Sequence, residues 1–292
     1  MKKLIFLLLM PLLFACGHKK NNKNGDTEMF RFDRDSLIIK RIEKQNDRLK
    51  DDFIKANIDA FKNEFAAYNN EFRSKKDLIK DLHVYDFNAD GKDDLIFTGM
   101  SGGEPNEIAF ILNTASGFKL VFKTFQYIWN LELDHHKIST IYIYDNGCCA
   151  SYINFNKIYH ADYTNKEPEF KLTYLTASVN ISSFPQKFLS KPIYFETIND
   201  DYKLRLSPKI NDIDTVGYGG ELRKGNTIGL LARGTKGRTI ATTKDNTGRI
   251  WWFVELNPES KIKESVFYED EDSKKIAGKM GWISSRFVKV IK

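Results

Sequence analysis

The sequence predicts a mainly β protein in which an N-terminal helical stem precedes a β-meander domain and a small barrel. Residues 34–76 contain neither Gly nor Pro, which favours helix. Aromatic and β-branched runs separated by turns follow, and from Tyr202 the strands become short and rich in glycine. With 41% hydrophobic residues among 292, including 22 Phe and 13 Tyr, the chain can bury more than one core, which excludes a disordered protein.

The net charge is mild for a chain of this length. Lys and Arg number 45 and Asp and Glu number 39, which gives +6, and the dense basic stretches lie within the first 25 residues. Binding to nucleic acid needs basic residues clustered on a folded surface. The composition therefore argues against a nucleic-acid partner.

The first 15 residues have the features of a signal peptide. Lys2 and Lys3 precede a short apolar segment, 4–14, that is too short to span a bilayer permanently. Its end, Leu-Phe-Ala-Cys at 13–16, resembles the bacterial lipobox, which implies that Cys16 becomes the lipidated first residue. An ordinary secretory leader followed by a chance cysteine is the alternative.

Residues 16–33 are expected to form the lipid anchor and a solvated tether, since 17–25 contain no large apolar residue. More than one acyl chain is needed for stable anchoring, and lipoprotein acylation supplies it. By resemblance to proteobacterial sorting rules, Gly17 in place of Asp implies the outer membrane, with the protein facing the periplasm. The expected location is thus the bacterial cell envelope.

The predicted helical stem covers residues 34–77. Its apolar residues recur every three or four positions, and the opposite face is charged or polar. Asp35 and Ser36 can cap its start. The apolar stripe is expected to pack on the following domain, because it is too short for an extended coiled coil. The stripe consists of Leu49, Phe53, Ala56, Ala60, Phe61, Phe65, Tyr68 and Phe72.

An acidic loop opens the predicted β-domain, which covers residues 78–190. Oxygen-bearing side chains occupy its first, third, fifth and ninth places, and Gly91 permits a sharp turn; they are Asp86, Asn88, Asp90 and Asp94. Hard oxygen ligands at alternate positions suit Ca²⁺. Position twelve is Phe97 rather than the Glu that an EF-hand requires, and it lies in a strand-like run.

This strand-loop-strand pattern resembles the calcium loop of FG-GAP and related integrin-type repeats. The resemblance implies that the backbone carbonyl of Lys92 is a further ligand and that Ca²⁺ has a structural role, joining two strands. It covers about 20 residues, and the sequence contains one such loop without a fixed repeat, so a complete propeller is not expected. A polar turn that never binds metal is the alternative, because the sequence Asn-Ala-Asp-Gly is also typical of turns.

Six aromatic and β-branched runs separated by turns predict the β-meander. They are Glu107 to Asn113, Gly117 to Phe125, Tyr127 to Asp134, Lys137 to Tyr144, Tyr152 to Tyr159 and Phe170 to Ala177. Cys148 and Cys149 can form a strained vicinal disulfide, point to opposite faces of a strand, or pair between chains. His135 and His136 are expected in a polar turn, since adjacent strand positions face opposite ways.

Residues 191–292 resemble a bacterial SH3-like domain. The likeness rests on an opening Leu-Arg strand at 204–205, a Gly-Arg-Ile-Trp-Trp-Phe-Val strand at 248–254 and a closing Gly-Trp-Ile-Ser-Ser at 281–285. It implies binding of cell-wall peptides or other proteins, with Tyr218, Trp251 and Trp282 as candidate contacts. Strand alternation means that Trp251 and Trp252 cannot both face the interior, so one faces a groove or is covered by the long loop 257–279.

Taken together, these features predict a membrane-anchored, non-catalytic binding or scaffold protein for peptidoglycan or an envelope protein. The sequence contains no G-x-S-x-G or H-E-x-x-H motif and no cysteine in a peptidase signature. Ca²⁺ is a weak activator of water, so the acidic loop does not indicate an enzyme. An immunity or inhibitor protein against an envelope toxin is the alternative, and an accessory of a cell-wall hydrolase is a further one.

Overall fold

The computed structural model describes residues 39, 42–57, 74–103, 105–147, 151–165, 167–218, 221–267 and 278–291. The predicted signal peptide, Cys16, the tether and residues 58–73 of the predicted stem lie outside the described residues. Cys148 and Cys149 lie outside them as well.

Two helices with described bounds precede the first strand. Helix α1 covers Asp47–Asn57 and helix α2 covers Lys75–Asp81. Ser74 precedes α2 and donates from both its amide and its hydroxyl to the carboxylate of Asp77, at 3.0 and 2.8 Å. These bonds hold the first turn of α2, and they lower the pKa of Asp77 to about 2.

The first sheet is an antiparallel meander in the order β1-β2-β3-β4. The strands are β1 Leu82–Tyr85, β2 Asp94–Met100, β3 Asn106–Thr114 and β4 Gly117–Phe125. One face buries Phe53 and Ile54 of α1 and Leu78 of α2. The described part of the predicted stem therefore packs on the following domain.

The second sheet is the meander β5-β6-β7-β8, and it packs on the other face of the first. Its strands are β5 Tyr127–Asp134, β6 Lys137–Asp145, β7 Ile153–Asp162 and β8 Glu169–Val179. Gln126, with φ +85°, turns the chain between the two sheets. Its backbone N–H donates to the backbone carbonyl of Asn106 at 2.7 Å. Between the sheets, the ring of Phe122 lies 5.1 Å from that of Phe170.

The remaining strands form the C-terminal sheet and, apart from it, a two-stranded hairpin, β11–β12. They are β9 Ile193–Thr197, β10 Tyr202–Arg205, β11 Thr215–Tyr218, β12 Glu221–Lys224, β13 Thr227–Leu231, β14 Lys236–Lys244, β15 Ile250–Leu256, β16 Ile262–Lys263, β17 Gly278–Ser284 and β18 Val288–Val290. A 3₁₀ turn, Ser285–Phe287, joins β17 to β18. Val254 and Ile283 lie in the core that the C-terminal sheet encloses, with Trp252 and Val288 against it. The mainly β fold class is confirmed.

The second sheet and the C-terminal sheet are continuous. Strand β17 pairs with β8 in parallel through Gly278 opposite Thr176, and Leu175 and Val179 share one core with Phe195 and Leu204. This core spans the boundary predicted between residues 190 and 191.

A buried charged network reinforces the junction between β8 and the C-terminal sheet. The hydroxyl of Tyr174 donates to Glu255 Oε2 at 2.5 Å. Arg238 Nε donates to the same oxygen at 2.9 Å, and its guanidinium lies 5.6 Å from the centre of the Tyr174 ring. Since all three groups are largely removed from water, the removal of one would leave the other two with fewer hydrogen bonds.

Candidate functional site

The acidic loop joins β1 to β2, and its side-chain oxygens accept hydrogen bonds from the loop's own backbone. Asp86 accepts from the amides of Asp90 and Gly91 at 3.1 and 3.0 Å, and Asn88 Oδ1 accepts from Asp90 at 3.1 Å. Asp90 Oδ1 accepts from the amide of Lys92 at 2.9 Å. Gly91 has φ +87°, in the left-handed region that glycine adopts without strain. The loop thus has a defined turn conformation.

Asp94 lies beneath this loop and is 0% exposed. Its two oxygens accept from the amides of Asn113 and Phe87, at 2.8 and 3.2 Å. Burial, helped by the charges of Asp90 and Asp86, raises the pKa of Asp94 to about 7, although the two amide bonds act in the opposite direction. The Asp94 carboxyl group therefore connects the loop to β3, and its ionised form is destabilised by burial.

Asp93 fixes the loop from outside. Its carboxylate accepts from Lys44 Nζ at 2.8 Å and from the side-chain amide of Asn46 at 3.1 Å. The bond from Lys44 lowers the pKa of Asp93. Asn113 Nδ2 donates to the carbonyl of Asp93 at 3.0 Å. The motif did not predict these partners, because Asn113 is 20 residues from Asp93 and no local pattern marks their contact.

The predicted ligands fit a hard cation by their chemistry. Within the described ranges, no three acidic, histidine or cysteine side chains converge closely enough to hold a metal ion. Asp86, Asn88, Asp90 and Asp94 nevertheless supply oxygen donors alone, and the charges of Asp86 and Asp90 disfavour ionised Asp94. A divalent cation would relieve that repulsion.

The two tryptophans predicted as ligand contacts are core residues. Trp251 is 1% exposed and its indole N–H donates to Asp245 Oδ2 at 2.8 Å; Trp282 is 2% exposed and donates to the carbonyl of Ser183 at 2.5 Å. Neither ring is available at the surface, which corrects the predicted contacts. Tyr218 ends β11, and its side chain lies outside the described residues.

Strand alternation places Trp251 and Trp252 on opposite faces of β15, as the sequence indicates. Trp252 packs against the enclosed core, whereas Trp251 lies on the other face. In the described part of the chain, the segment covering that second face includes Ser183 and Phe184, which precede β9. This segment differs from the long loop that the sequence suggested.

An apolar patch is exposed elsewhere on the C-terminal sheet. Phe287, in the 3₁₀ turn, is 45% exposed, and its carbonyl accepts from the amide of Ile198 at 3.2 Å. Its ring lies 6.1 Å from that of Tyr202 in an edge-to-face contact. Ile198 is also exposed, and the hydroxyl of Tyr202 is held by the Ser284 carbonyl. We call Ile198, Tyr202 and Phe287 the Phe287 patch.

One histidine lies in a chain of polar contacts between the first two strands. His83 Nε2 lies 3.0 Å from Thr98 Oγ1, and its Nδ1 lies 3.1 Å from Glu43 Oε2. Burial alone would raise the pKa of Glu43, but the bonds from His83 and Lys50 lower it. His83 and Lys50 are both buried, so the network connects β1, β2 and α1 internally.

The two other histidines singled out by the sequence occupy the turn between β5 and β6. His135 and His136 have positive φ angles of 47° and 69°. His135 Nδ1 lies 2.8 Å from Asp134 Oδ1, and both of these side chains are exposed.

Comparison with known protein families, with curated proteins and with solved structures finds no match to this chain. Among the described helices, none combines the length and the apolar character needed to cross a membrane.

Proposed function

We propose that this chain is a lipid-anchored envelope protein that binds peptidoglycan through an SH3-like C-terminal module, with a protein partner as the alternative ligand. The observation that carries this proposal is the Phe287 patch. An exposed aromatic ring beside further apolar side chains supplies contact area at a small cost in conformational entropy. It replaces the buried tryptophans as the candidate binding surface.

The strand order of the C-terminal sheet supports an SH3-like module. Strands β14 and β15 form a long antiparallel hairpin, β15 pairs with β17, and a 3₁₀ turn precedes the short last strand. These features agree with the sequence resemblance.

The charges near the Phe287 patch favour an anionic peptide. Arg286 and Lys289 lie one and two residues from Phe287 in the chain and are exposed. Burial raises the pKa of Tyr202, and the positive charge of Arg249 is one of the smaller effects that oppose this rise. The peptides of peptidoglycan carry free carboxylates that such cations can bind. An apolar centre with a basic rim suits this ligand class.

The proposed location rests on Cys16. Acylation of Cys16 would anchor the chain in the outer membrane, and the tether would separate the folded part of the chain from the bilayer. Palmitate labelling tests this step directly. We expect labelling of the wild type, its loss in Cys16→Ala, and accumulation of the unprocessed precursor with globomycin; a Cys16→Ala protein that still incorporates palmitate would refute the assignment.

The calcium loop has a structural role in this proposal. Ca²⁺ bound by Asp86, Asn88, Asp90, Asp94 and the carbonyl of Lys92 would hold β1 to β2. It would offset the repulsion that the charges of Asp90 and Asp86 exert on ionised Asp94.

Retention of the full mature chain on purified peptidoglycan tests the binding function. We expect Phe287→Ala to weaken retention roughly tenfold or more, because aromatic anchors dominate small binding surfaces. Leu133→Ala is the matched control, since Leu133 is 43% exposed but lies on β5. A wild-type chain that is not retained, or a Phe287→Ala chain retained equally well, would exclude peptidoglycan as the ligand of this patch.

A further inference from the structure

Two neighbouring strands of the second sheet carry a buried group of four polar side chains, which we call the polar quartet. Asn154 on β7 lies opposite Ser178 on β8, and Asn156 lies opposite Thr176. All four residues are at most 4% exposed. Phe155, between the two asparagines, packs instead against the core on the other face of the sheet. The quartet therefore shares one face, because alternate residues of paired strands point the same way.

The quartet lacks hydrogen-bond partners. Within the described ranges of the chain, none is formed by Asn154 Oδ1, by Asn156 Oδ1 and Nδ2, or by the hydroxyls of Thr176 and Ser178. Buried polar groups in native proteins are almost always paired, either with protein or with ordered water. Leaving this many atoms unpaired would cost a free energy comparable to the net stability of a domain. The quartet therefore needs partners that the described chain does not supply.

The chemistry of the quartet indicates what those partners are. Amide oxygens accept hydrogen bonds, an amide nitrogen donates them, and hydroxyls do both. A bound cation would require acceptors alone, and a bound anion would require mainly donors. Water both donates and accepts, so it fits a mixed and uncharged set of this kind.

Charged groups on the same face are already compensated. Tyr174 lies two residues before Thr176 on β8 and points to the same face. Its hydroxyl belongs to the network of Arg238 and Glu255, whose opposite charges lie 2.8 Å apart. This network therefore does not call for an ion beside the quartet.

The quartet lies where the second sheet meets the C-terminal sheet. Thr176 is flanked by Asn156 on β7 and by Gly278 on β17. Gly278 has no side chain that could reach the hydroxyl of Thr176. Partners for this hydroxyl must therefore come from elsewhere than the adjacent position of β17.

We propose that the polar quartet is a buried water site, in which about two ordered water molecules bridge the side chains of β7 and β8. A buried water makes about three hydrogen bonds, so two can satisfy the unpaired atoms of the quartet. Side chains that would destabilise the sheet if unpaired then link β7 to β8 beside the junction with β17. The site is independent of the Phe287 patch, the calcium loop and the lipid anchor.

The substitution Thr176→Val tests the site, because it keeps the branched shape and removes the hydroxyl. If this hydroxyl is bonded to water, urea unfolding of the full mature chain in detergent should show a folding equilibrium constant lowered roughly fivefold. Thr197→Val is the matched control. Thr197 is 1% exposed, and its hydroxyl donates to the Ala232 carbonyl and accepts from the Thr235 amide. The control should lose at least as much stability.

A measurement on the wild type keeps the test valid if Thr176→Val does not fold. Nuclear Overhauser cross-peaks between the water signal and the side-chain amide protons of Asn156 report water held at the site. We expect these cross-peaks to have opposite signs in the laboratory and rotating frames, which is the mark of long-lived water. Gln126 is the control, since its buried side-chain amide donates to the Gly147 carbonyl and should show no such cross-peak.

Two results would each overturn the proposal. A Thr176→Val chain that is as stable as the wild type, or more stable, would show that the hydroxyl has no partner to lose. An Asn156 amide without contact to water would show that the quartet is dry or is covered by another part of the chain.

Discussion

The buried carboxyl of Asp94 makes a strong prediction about pH. Its pKa of about 7 lies well above the ordinary value of 3.8, so the folded chain binds this proton more tightly than the unfolded chain does. The resulting stability is fully present below pH 3.8 and is lost as the pH rises through 7. At 1.36 kcal/mol per pKa unit, the whole loss is about 4 kcal/mol, and roughly two-thirds of it falls between pH 5 and pH 8.

Urea unfolding of the wild type at pH 5 and pH 8 in EDTA measures this loss. The substitution Asp94→Asn mimics the protonated state but turns an amide toward one of two backbone N–H groups, those of Asn113 and Phe87. We expect it to lower stability by about 1–3 kcal/mol at pH 5, the cost of an unpaired buried donor. At pH 8 the difference from wild type should shrink or reverse, because the variant has no charge to bury.

Two outcomes would contradict this reasoning. A wild-type stability that is constant or increases between pH 5 and pH 8 would show that Asp94 is ionised throughout. A variant with the same pH dependence as the wild type would assign the effect to another group.

Two further predictions concern calcium and the charged junction. Millimolar Ca²⁺ should raise the melting temperature of the wild type by several degrees, as binding to the native state alone requires. Asp90→Ala should abolish this shift. Lys92→Ala should keep it, because only the backbone carbonyl of Lys92 is a proposed ligand. Equal shifts in the wild type and both variants would exclude the loop as the calcium site. Arg238→Met should lower the free energy of unfolding by about 3–5 kcal/mol, since it leaves Glu255 charged and buried. Adding Glu255→Gln should recover much of this loss in urea unfolding, because Gln can still accept from Tyr174, and no recovery would show that the charge is not the cause.

Local patterns predicted most of the strands. The strands β4 Gly117–Phe125 and β5 Tyr127–Asp134 begin and end where the sequence indicates. Residue alternation and turn chemistry act over a few residues, and both are visible in a single sequence. Folding of the second meander back onto the first depends instead on Gln126 and on ring contacts between distant residues such as Phe122 and Phe170.

The candidate sites were predicted less completely for the same reason. The spacing of the loop carboxylates drew attention to Asp94, but its partner Asn113 belongs to another strand. Alternation separated Trp251 from Trp252, but no local pattern shows that Ser183 and Phe184 lie over the face of the sheet that carries Trp251. The resemblance to a binding module suggested exposed tryptophans. Because Trp251 and Trp282 are both buried, the candidate binding surface is instead the exposed region around Phe287.

The parallel pairing of β17 with β8 also affects the order in which the chain can fold. Gly278 is synthesised about 100 residues after its partner Thr176, and contacts of such long separation form late. Until the last strands emerge, one end of β8 has unpaired backbone groups that can recruit other chains. In a protein ending before residue 278, that edge of β8 would stay unpaired permanently. The second sheet is therefore protected from pairing with other chains only after nearly the whole chain has been translated.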